Sequence, residues 1–328
     1  MVLVTGASGF LGSELVSQLV ERGEKVRILK RTHSNLSYLK RFERLLDIVE
    51  GDILEIPSLE KAMEGVEKVY HSAASISYDS SQHNHMYKVN VEGTANIVNM
   101  ALAKGVKKLL HVSSIAAIGA KPNKGMIDEQ VKWENHNYNT YYGITKMLAE
   151  REIFRGIEEG LNAVIINPGI IVGVGHDEHK ATIRVFKQIA KGKLPFYMPG
   201  VNGFVDVEDV AKAAIQLMDC DIIGERFIAV SENWAFKKYF DTVADELKAP
   251  HPKYEITPLL GSFLCRVDWL RSKLFSKKRS LTKENLVVVL EDFEFSNQKI
   301  KETLGFEFKP LKKTLAEVAV TLKNGETK

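Results

Sequence analysis

Three glycines near the start of the chain have the spacing of a phosphate-binding turn. The sequence VLVTGASGFLG places Gly6, Gly9 and Gly12 between a short apolar run and a helical pattern. Gly6 permits a tight turn, Gly9 lets the backbone approach a pyrophosphate, and Gly12 lets helix and strand pack closely. Free N–H groups at the start of the helix favour an anion. The motif predicts a dinucleotide site, and the alternative is a tight turn that binds no ligand.

A tyrosine and a lysine four residues apart could supply acid–base chemistry. Tyr142 and Lys146 occur in YGITK at the start of a long helical pattern, so they share one helix face. A free phenol has a pKa of about 10, which is too high for efficient proton transfer at neutral pH. We expect the Lys146 ammonium to lower the pKa of the Tyr142 phenol. The alternative is two unrelated residues on an amphipathic helix.

The apolar runs predict the elements that position these residues. Runs rich in Val, Ile and Leu alternate with helical patterns, which is typical of parallel strands covered on both faces. The predicted strands are 2–4, 25–29, 46–49, 66–71, 108–112 and 163–166. The predicted helices are 10–21, 85–104 and 141–158, then 182–191, 207–218, 236–247, 259–275 and 282–289, with two more after residue 296.

These elements define the expected fold class and domains. We expect an α/β protein with a Rossmann-type doubly wound parallel sheet and a smaller, mostly helical C-terminal substrate domain. Residues 1–170 would form the dinucleotide-binding domain, completed by about 203–230. Residues 171–202 and 231–328 would form the substrate domain.

Composition narrows the class of protein. The chain has 328 residues, 45% of them hydrophobic, which is enough for a large core. A net charge of +3 gives no sign of a nucleic-acid-binding groove. Two cysteines, Cys220 and Cys265, indicate a reducing compartment. No apolar run reaches the roughly 18 residues of a membrane span, and the first strand begins too early for a signal peptide. We therefore expect a cytoplasmic protein that binds no nucleic acid and has no transmembrane segment.

The motifs, taken in order, resemble the short-chain dehydrogenase/reductase superfamily. TGxxGxxG comes first, Ser114 follows the fifth strand in HVSSIAAIG, and YGITK comes after it. Between and beyond them stand GDI, HSAAS, NVEGT, NPGIIVG and FVDVEDVA. The set resembles the extended branch, the NAD(P)-dependent epimerase/dehydratase superfamily. That branch includes dihydroflavonol-4-reductase-like enzymes, 3β-hydroxysteroid dehydrogenases and nucleotide-sugar epimerases, and the resemblance covers almost the whole chain.

The resemblance implies roles for individual residues. Ser114, Tyr142 and Lys146 would be catalytic, with Ser114 orienting the substrate oxygen and Ser113 as the lesser candidate for that serine. Asp52 would hold the adenine or cap a helix, and Asn90 would organise a water relay or pack the helix. The cofactor-binding residues implied are Gly6, Ser8, Gly9, Phe10, Leu11, Gly12, Lys30, Arg31, Asp52, Ile53, Ser72, Ala73, Ala74, Asn90, Ser113, Tyr142, Lys146, Pro168, Ile170 and Ile171. No metal belongs to this interpretation.

The end of the second strand bears on the choice of dinucleotide. An acidic residue there would bind the ribose 2′-OH of NAD, but VRILKRTHSN has Lys30 and Arg31 instead. A guanidinium can hold a 2′-phosphate through two hydrogen bonds. The segment resembles the VRxxxR motif of dihydroflavonol-reductase-like enzymes, in which Arg31 would serve the phosphate, assisted by Ser34 or Asn35. We expect NADP rather than NAD, and the alternative is a solvated pair of surface charges.

The same resemblance bears on the substrate. Nucleotide-sugar epimerases commonly have VYG after the catalytic serine and NxYGP after the sixth strand, whereas this chain has AIG and IIVGV. The polar groups that would hold a sugar nucleotide are therefore missing. We expect an NADPH-dependent reductase of a ketone or aldehyde, or the reverse oxidation, on a largely apolar small molecule. The alternatives are a nucleotide-sugar epimerase or dehydratase and, as a different class, a non-catalytic dinucleotide-binding sensor.

Two surfaces carry further expectations. Related enzymes dimerise through the helices predicted at 85–104 and 141–158, and we expect the same homodimer here. The segment 259–278 predicts an apolar helical stripe with basic residues off the stripe, namely Arg266, Arg271 and Lys273, and a basic cluster after it. The stripe residues are Leu260, Phe263, Leu264, Val267, Leu270 and Leu274. Three interpretations compete: a core helix, a wall of the substrate pocket, and a helix lying on an anionic membrane. We expect core on one edge and pocket on the other.

Overall fold

The elements follow the predicted order closely. The structure is a computed structural model that describes residues 1–119, 125–174, 181–275 and 282–325. Its strands are β1 (Val2–Thr5), β2 (Val26–Lys30), β3 (Asp47–Glu50), β4 (Lys68–His71), β5 (Lys108–Val112), β6 (Ala163–Pro168), β7 (Ile170–Val172), β8 (Phe196–Tyr197), β9 (Val201–Asp206), β10 (Arg226–Ala229), β11 (Glu232–Ala235) and β12 (Tyr254–Glu255). Its α-helices are α1 (Phe10–Glu21), α2 (Ile56–Ala62), α3 (His83–Tyr87), α4 (Gly93–Ala103), α5 (Tyr141–Glu158), α6 (Ala181–Ala190), α7 (Val207–Asp219), α8 (Phe236–Leu247), α9 (Pro258–Phe275), α10 (Lys283–Leu290), α11 (Gln298–Leu304) and α12 (Leu311–Gly325).

A parallel sheet covered on both faces forms the larger part of the molecule. Within the described residues it has seven strands in the order β10-β6-β5-β4-β1-β2-β3, all paired in parallel. Val2 and Val4 of β1 pack with α1 and α7 on one face, whereas Leu3 packs with α2, α4 and α5 on the other. Because both faces are covered, the strands read as continuous apolar runs. The predicted doubly wound α/β fold is confirmed.

The residues after β6 build a smaller, mostly helical part. β7, β9 and β11 form a three-stranded sheet, and β8 pairs with β12. α6, α8 and α12 pack around aromatic rings that include Phe204 and Tyr239, stacked at 4.8 Å. Two elements return to the large sheet, because α7 packs against α1 and β10 pairs with β6. The chain thus crosses between the two parts several times.

The stretch predicted as one helix over 85–104 is interrupted. α3 and α4 are separated by a π-helical turn at Lys88–Glu92. Asn90 lies in this turn, is 1% exposed, and bonds to Ser75 and Thr145. A π-helical turn often marks a functional region, and here it turns a buried amide toward the loop after β4.

The stripe expected to be core on α9 is largely exposed. Phe263, Val267, Leu270 and Leu274 are between 48% and 68% exposed. The helix instead packs through its small residues, because a Cβ at Gly261 would lie 2.9 Å from the Leu286 side chain. Cys265 and Ile256 complete that contact. The expectation of core packing was therefore wrong for these four residues, whereas Leu260 and Leu264 of the same stripe are half-buried.

Candidate active site

The turn after β1 brings three backbone segments together. Gly6 has a φ of +70°, and a Cβ there would lie 2.6 Å from the Ala73 nitrogen. A Cβ at Gly12 would lie 2.1 Å from the Gly6 carbonyl oxygen. The Gly9 N–H donates to that oxygen at 2.8 Å. α1 has no side-chain cap and no acidic residue in its first turn, so its N-terminal N–H groups suit an anion.

A cavity of about 310 Å³ opens beyond this turn, across the carboxyl ends of the central strands. Predicted residues that line it are Gly6, Ser8, Gly9, Lys30, Arg31, Asp52, Ile53, Ser72, Ala73 and Ala74, with Ser34 beside them. Sequence reasoning missed other lining residues, namely Leu29, Gly51, Ser75, His85 and Val89. Four of these, all but His85, adjoin predicted residues along the chain, which is a signal that could have found them. The shape and the anion-binding turn fit a dinucleotide.

The two cations after β2 differ in their partners. Lys30 Nζ lies 3.2 Å from Glu50 Oε2, and Thr32 donates to the other Glu50 oxygen at 2.8 Å. These contacts lower the pKa of the Glu50 carboxyl. The Arg31 side chain is exposed at the cavity and makes no ion pair with any residue that the structure describes. Arg31 is therefore the cation available to a ligand.

Other predicted cofactor residues lie away from this cavity. Leu11 is buried in the core beside α7, Phe10 packs against the same core, and Gly12 packs on the turn. Pro168, Ile170 and Ile171 lie at the junction of β6 and β7, where Ile170 and Ile171 are half-buried. Asp52 accepts from the Leu54 N–H at 3.0 Å, so it forms the turn after β3, and it also lines the cavity.

Two more of these residues are held by hydrogen bonds inside the protein. The Asn90 amide bonds to both backbone groups of Ser75, at 2.7 and 2.9 Å, and to Thr145. The Ser113 hydroxyl is buried and donates to Glu150 Oε1 at 2.5 Å. Asn90 thus pins the loop after β4 to α5, and Ser113 faces the protein interior.

Ser114 and Tyr142 meet where α5 packs against the end of β5. Ser114 begins the 3-10 turn Ile115–Ala117, and its hydroxyl lies beside the Tyr142 phenol and lowers the pKa of that phenol. α5 starts at the Thr140 cap, whose hydroxyl accepts from the Gly143 N–H at 3.0 Å. A Cβ at Gly143 would lie 2.7 Å from the Ala116 carbonyl oxygen, so this glycine permits the close approach.

The environment of Tyr142 differs from the expected one. Burial, and to a lesser extent the Tyr78 phenol, raises the pKa of Tyr142 above its usual range, while the neighbouring Ser114 hydroxyl opposes this. Lys146 Nζ instead donates to the Val112 carbonyl at 2.7 Å and lies 3.4 Å from His111 Nε2. The expected lowering by Lys146 is not seen, because the ammonium points into the sheet.

Lys146 itself is 1% exposed. Burial lowers its pKa to about 8, and the Glu150 carboxylate one turn further along α5 opposes that shift. The imidazoles of His71 and His111 lie next to it, 5.2 Å apart between ring centres. Burial and the Lys146 charge lower the pKa of His71 to about 3 and that of His111 well below its usual value. Both rings are therefore neutral at pH 7.

Sequence reasoning missed a buried network behind Ser114. Glu150 is 3% exposed and accepts from Ser113 and from Asn167 Nδ2, the latter at 2.6 Å. The same Asn167 nitrogen donates to the Ser114 carbonyl at 3.0 Å. Arg226 of β10 lies 3.3 Å from the other Glu150 oxygen. The spacing of Lys146 and Glu150, one helical turn apart, was a signal that could have found this network.

A second cavity, of about 460 Å³, lies beside α5 and α9. Its lining residues are Tyr78, Ser80, Ser262, Cys265, Arg266, Trp269, Thr282 and Glu284. Glu284 accepts from the Tyr141 N–H at 3.1 Å, which places the cavity wall at the start of the helix that carries Tyr142. The Tyr141 ring stacks on His83 at 3.8 Å, so it takes a packing role. α9 thus lines a cavity as expected, but through Ser262, Arg266 and Trp269 and not through Phe263.

The family follows from the fold, the glycine turn and the Ser–Tyr–Lys arrangement together. The chain belongs to the NAD dependent epimerase/dehydratase family, whose model matches residues 2–227. It is an enzyme of the NAD(P)-dependent oxidoreductase type, and the resemblance to the extended short-chain dehydrogenases/reductases is confirmed.

The proteins that resemble this chain in sequence include a sterol demethylase protein and a reductase. Sterol demethylase protein B of Methylococcus capsulatus is 32% identical over 277 residues, which cover 84% of either chain. Cinnamoyl-CoA reductase 1 of Petunia hybrida is 29% identical over 98% of this chain and 92% of its own. The crystal structure of gox2253 superposes with a TM-score of 0.85 at 29% identity, covering 99% of this chain and 98% of that one.

The buried ammonium predicts a particular pH dependence of stability. With a folded pKa of about 8 and an unfolded value of about 10.4, Lys146 binds more protons unfolded than folded between these values. The free energy of unfolding should therefore rise with pH across this window, by about 3 kcal/mol at most, relative to Lys146→Met. Urea unfolding of both proteins from pH 7 to pH 10 measures the difference.

The Glu150→Gln variant is the matched control for that measurement. Removing the carboxylate lowers the pKa of Lys146 further, so the rise should begin at a lower pH. Stability curves of wild type and Lys146→Met that run parallel from pH 7 to pH 10 would contradict the assignment.

Proposed function

We propose that this enzyme is an NADPH-dependent reductase that converts a ketone or aldehyde on a largely apolar small molecule to the alcohol. The observation that carries the proposal is the Ser114 hydroxyl beside the Tyr142 phenol, with Lys146 one turn along α5. Reductases among its relatives support the direction. The reverse oxidation would use the same groups.

The raised pKa of Tyr142 suits the reductive direction. A phenol that stays protonated at neutral pH can donate its proton to a carbonyl oxygen as negative charge develops there. Ser114 would donate a second hydrogen bond to that oxygen and fix its position. Lys146 lies one turn along α5, and its ammonium would have to leave the Val112 carbonyl to stabilise the phenolate left behind. When bound, the reduced nicotinamide supplies the hydride.

The residues at the first cavity fit NADP. The glycine turn offers free N–H groups to the pyrophosphate, and the exposed Arg31 guanidinium suits a 2′-phosphate. Lys30 already pairs with Glu50, so we expect it to add positive potential near the phosphate but not to bind the phosphate directly. NAD is the less favoured dinucleotide because no free carboxylate follows β2.

The second cavity is the proposed substrate site. The Trp269 and Tyr78 rings offer apolar surface, and Ser80, Ser262 and Thr282 offer a few polar groups. Glu284 lines this cavity and bonds to the first residue of α5, which supports a substrate position near Tyr142. The domain division stated above, a dinucleotide domain with a substrate domain built mainly from the later residues, is part of this proposal.

An epimerase or dehydratase remains the second candidate function, because the family carries that description. Ile118, Ile170 and Val172 give the site no polar group where the epimerases have Tyr or Asn. A non-catalytic sensor is less favoured, because Tyr142 and Lys146 are both present. A cytoplasmic location and a homodimer formed through α4 and α5 are further parts of the proposal. None of the described helices is long and apolar enough to cross a membrane.

Hydride labelling separates the three functions. A panel of apolar ketones and aldehydes is incubated with NADPH that carries deuterium on the transferring face. A net reductase should release a deuterated alcohol with matching loss of NADPH absorbance. An epimerase returns its hydride to the same substrate, and a sensor transfers none. Absence of labelled product across the panel, with NADPH bound, would contradict the proposal.

Replacing Tyr142 with Phe tests the proposed proton donor. The variant lacks only the phenolic hydroxyl, so NADPH binding should survive while kcat falls about 100-fold or more. NADPH fluorescence titration and steady-state kinetics measure the two effects. The Tyr141→Phe variant is the matched control and should keep near-normal kcat. Near-normal turnover by Tyr142→Phe, with chemistry limiting the rate, would exclude it as the acid.

Replacing Arg31 with Asp tests the dinucleotide preference. The carboxylate would repel the 2′-phosphate and accept from a ribose diol. The ratio of kcat/KM for NADPH to that for NADH should fall by about 10-fold or more. Lys30→Gln serves as the control and should change the ratio much less, because Lys30 is paired with Glu50. An unchanged ratio in Arg31→Asp would exclude Arg31 as the phosphate-binding residue.

A further inference from the structure

The outer face of α9 carries a continuous row of large apolar side chains. This α9 apolar face consists of Leu259, Phe263, Val267, Leu270 and Leu274, which are between 48% and 85% exposed. Their spacing of three and four residues puts them on one side of the helix. Single exposed apolar residues are ordinary, but a contiguous row marks a surface that binds something.

The opposite side of the helix is anchored. Cys265 is 4% exposed and packs with Ile256 and Leu286, and Gly261 approaches Leu286 closely. Thr257 caps the start of the helix by accepting from the Leu260 N–H at 3.3 Å. The α9 apolar face is therefore held outward by the packing of the small residues behind it.

Positive charge borders the α9 apolar face on both sides. On a helical projection Arg266 and Lys273 lie along one border and Arg271 lies along the other. Asp268, the helix's acidic residue, has a side chain only 12% exposed and pairs with Arg271 at 2.7 Å. The sequence continues with Lys277, Lys278 and Arg279, which lie outside the described residues.

Trp269 adds an amphipathic aromatic ring at the basic border. It is 49% exposed, and Lys273 Nζ lies 5.4 Å from its ring centre. Tryptophan with flanking lysine and arginine is typical of helices that lie in the interface of a membrane.

We propose that the α9 apolar face docks on an anionic membrane surface. The apolar row would enter the boundary between head groups and acyl chains, and the basic borders would contact anionic head groups. A second copy of this chain fits less well. Two-fold pairing of this face would bring the basic borders of two copies together with no exposed carboxylate on the helix to pair with them.

The position of the face relates docking to catalysis. Arg266 and Trp269 lie at the basic border of the α9 apolar face, and both also line the 460 Å³ cavity. A docked enzyme would thus present this cavity to the lipid surface, where an apolar substrate is concentrated. This last step rests on the proposed function, whereas the docking itself does not.

Vesicle sedimentation of the full chain tests the docking. The probes are vesicles of phosphatidylcholine alone and of phosphatidylcholine with phosphatidylglycerol, at low and at physiological salt. Wild type should sediment with the anionic vesicles, more at low salt. The affinity of the Phe263→Glu/Leu270→Glu double variant for anionic vesicles should be lower than that of wild type by about tenfold or more. Lys273→Gln should bind about fivefold more weakly.

Val320→Glu is the matched control, because Val320 is equally exposed, at 56%, on α12. It should sediment like wild type. The double variant should unfold near the wild-type temperature and should reduce a water-soluble carbonyl substrate in solution as wild type does. Failure of the proposed function would abolish that turnover but leave sedimentation unchanged, so the two failures are distinguishable.

Three results would overturn the docking proposal. The first is wild type that stays in the supernatant with both kinds of vesicle. The second is a double variant that sediments like wild type. The third is a double variant whose oligomeric mass by light scattering is lower than that of wild type, while wild type itself does not bind vesicles. That result would assign the face to a second copy of the chain.

Discussion

The burial of one ammonium group governs the arrangement of this site. Lys146 lies beneath the carboxyl ends of β4 and β5, where removal from water is costly. The Val112 carbonyl accepts its hydrogen bond, and the Glu150 carboxylate one turn away offsets part of the cost by its charge. The neighbouring imidazoles stay neutral because burial disfavours their charged forms and because a second cation there would repel the first.

That constraint extends to the residues that face the proposed substrate. The carboxylate of Glu150 also holds Asn167, and Asn167 holds the Ser114 carbonyl. The position of Ser114 is thus tied to the same buried charges as Lys146. On the other side, Gly143 lets α5 lie against the turn after Ser114, which brings Tyr142 to the serine hydroxyl. The position of Ser114 therefore depends on the buried charges behind it, and the position of Tyr142 depends on the close packing of α5 against the turn that follows Ser114.

Much of the fold followed from local patterns, whereas the surroundings of the site did not. The apolar runs predicted the strands because both faces of the sheet are covered, and Gly6 and Gly12 predicted contacts that a side chain would block. The direction of the Lys146 side chain was not predictable, because it depends on the Val112 carbonyl of another element. Helical spacing found the stripe on α9, but it could not tell which side was buried. That was decided by Gly261 and Cys265 fitting against Leu286.

The paired histidines inside the sheet have a consequence for proton supply. His71 bonds to Thr5 at 2.8 Å and to Thr94 at 3.0 Å, and His111 lies beside it in register on the next strand. Both rings have a pKa too low to carry a proton at neutral pH. Neither ring therefore holds an extra proton beneath the site at neutral pH. A change of charge beneath Tyr142 near neutral pH therefore falls on Lys146, whose pKa is about 8, and not on the two imidazoles.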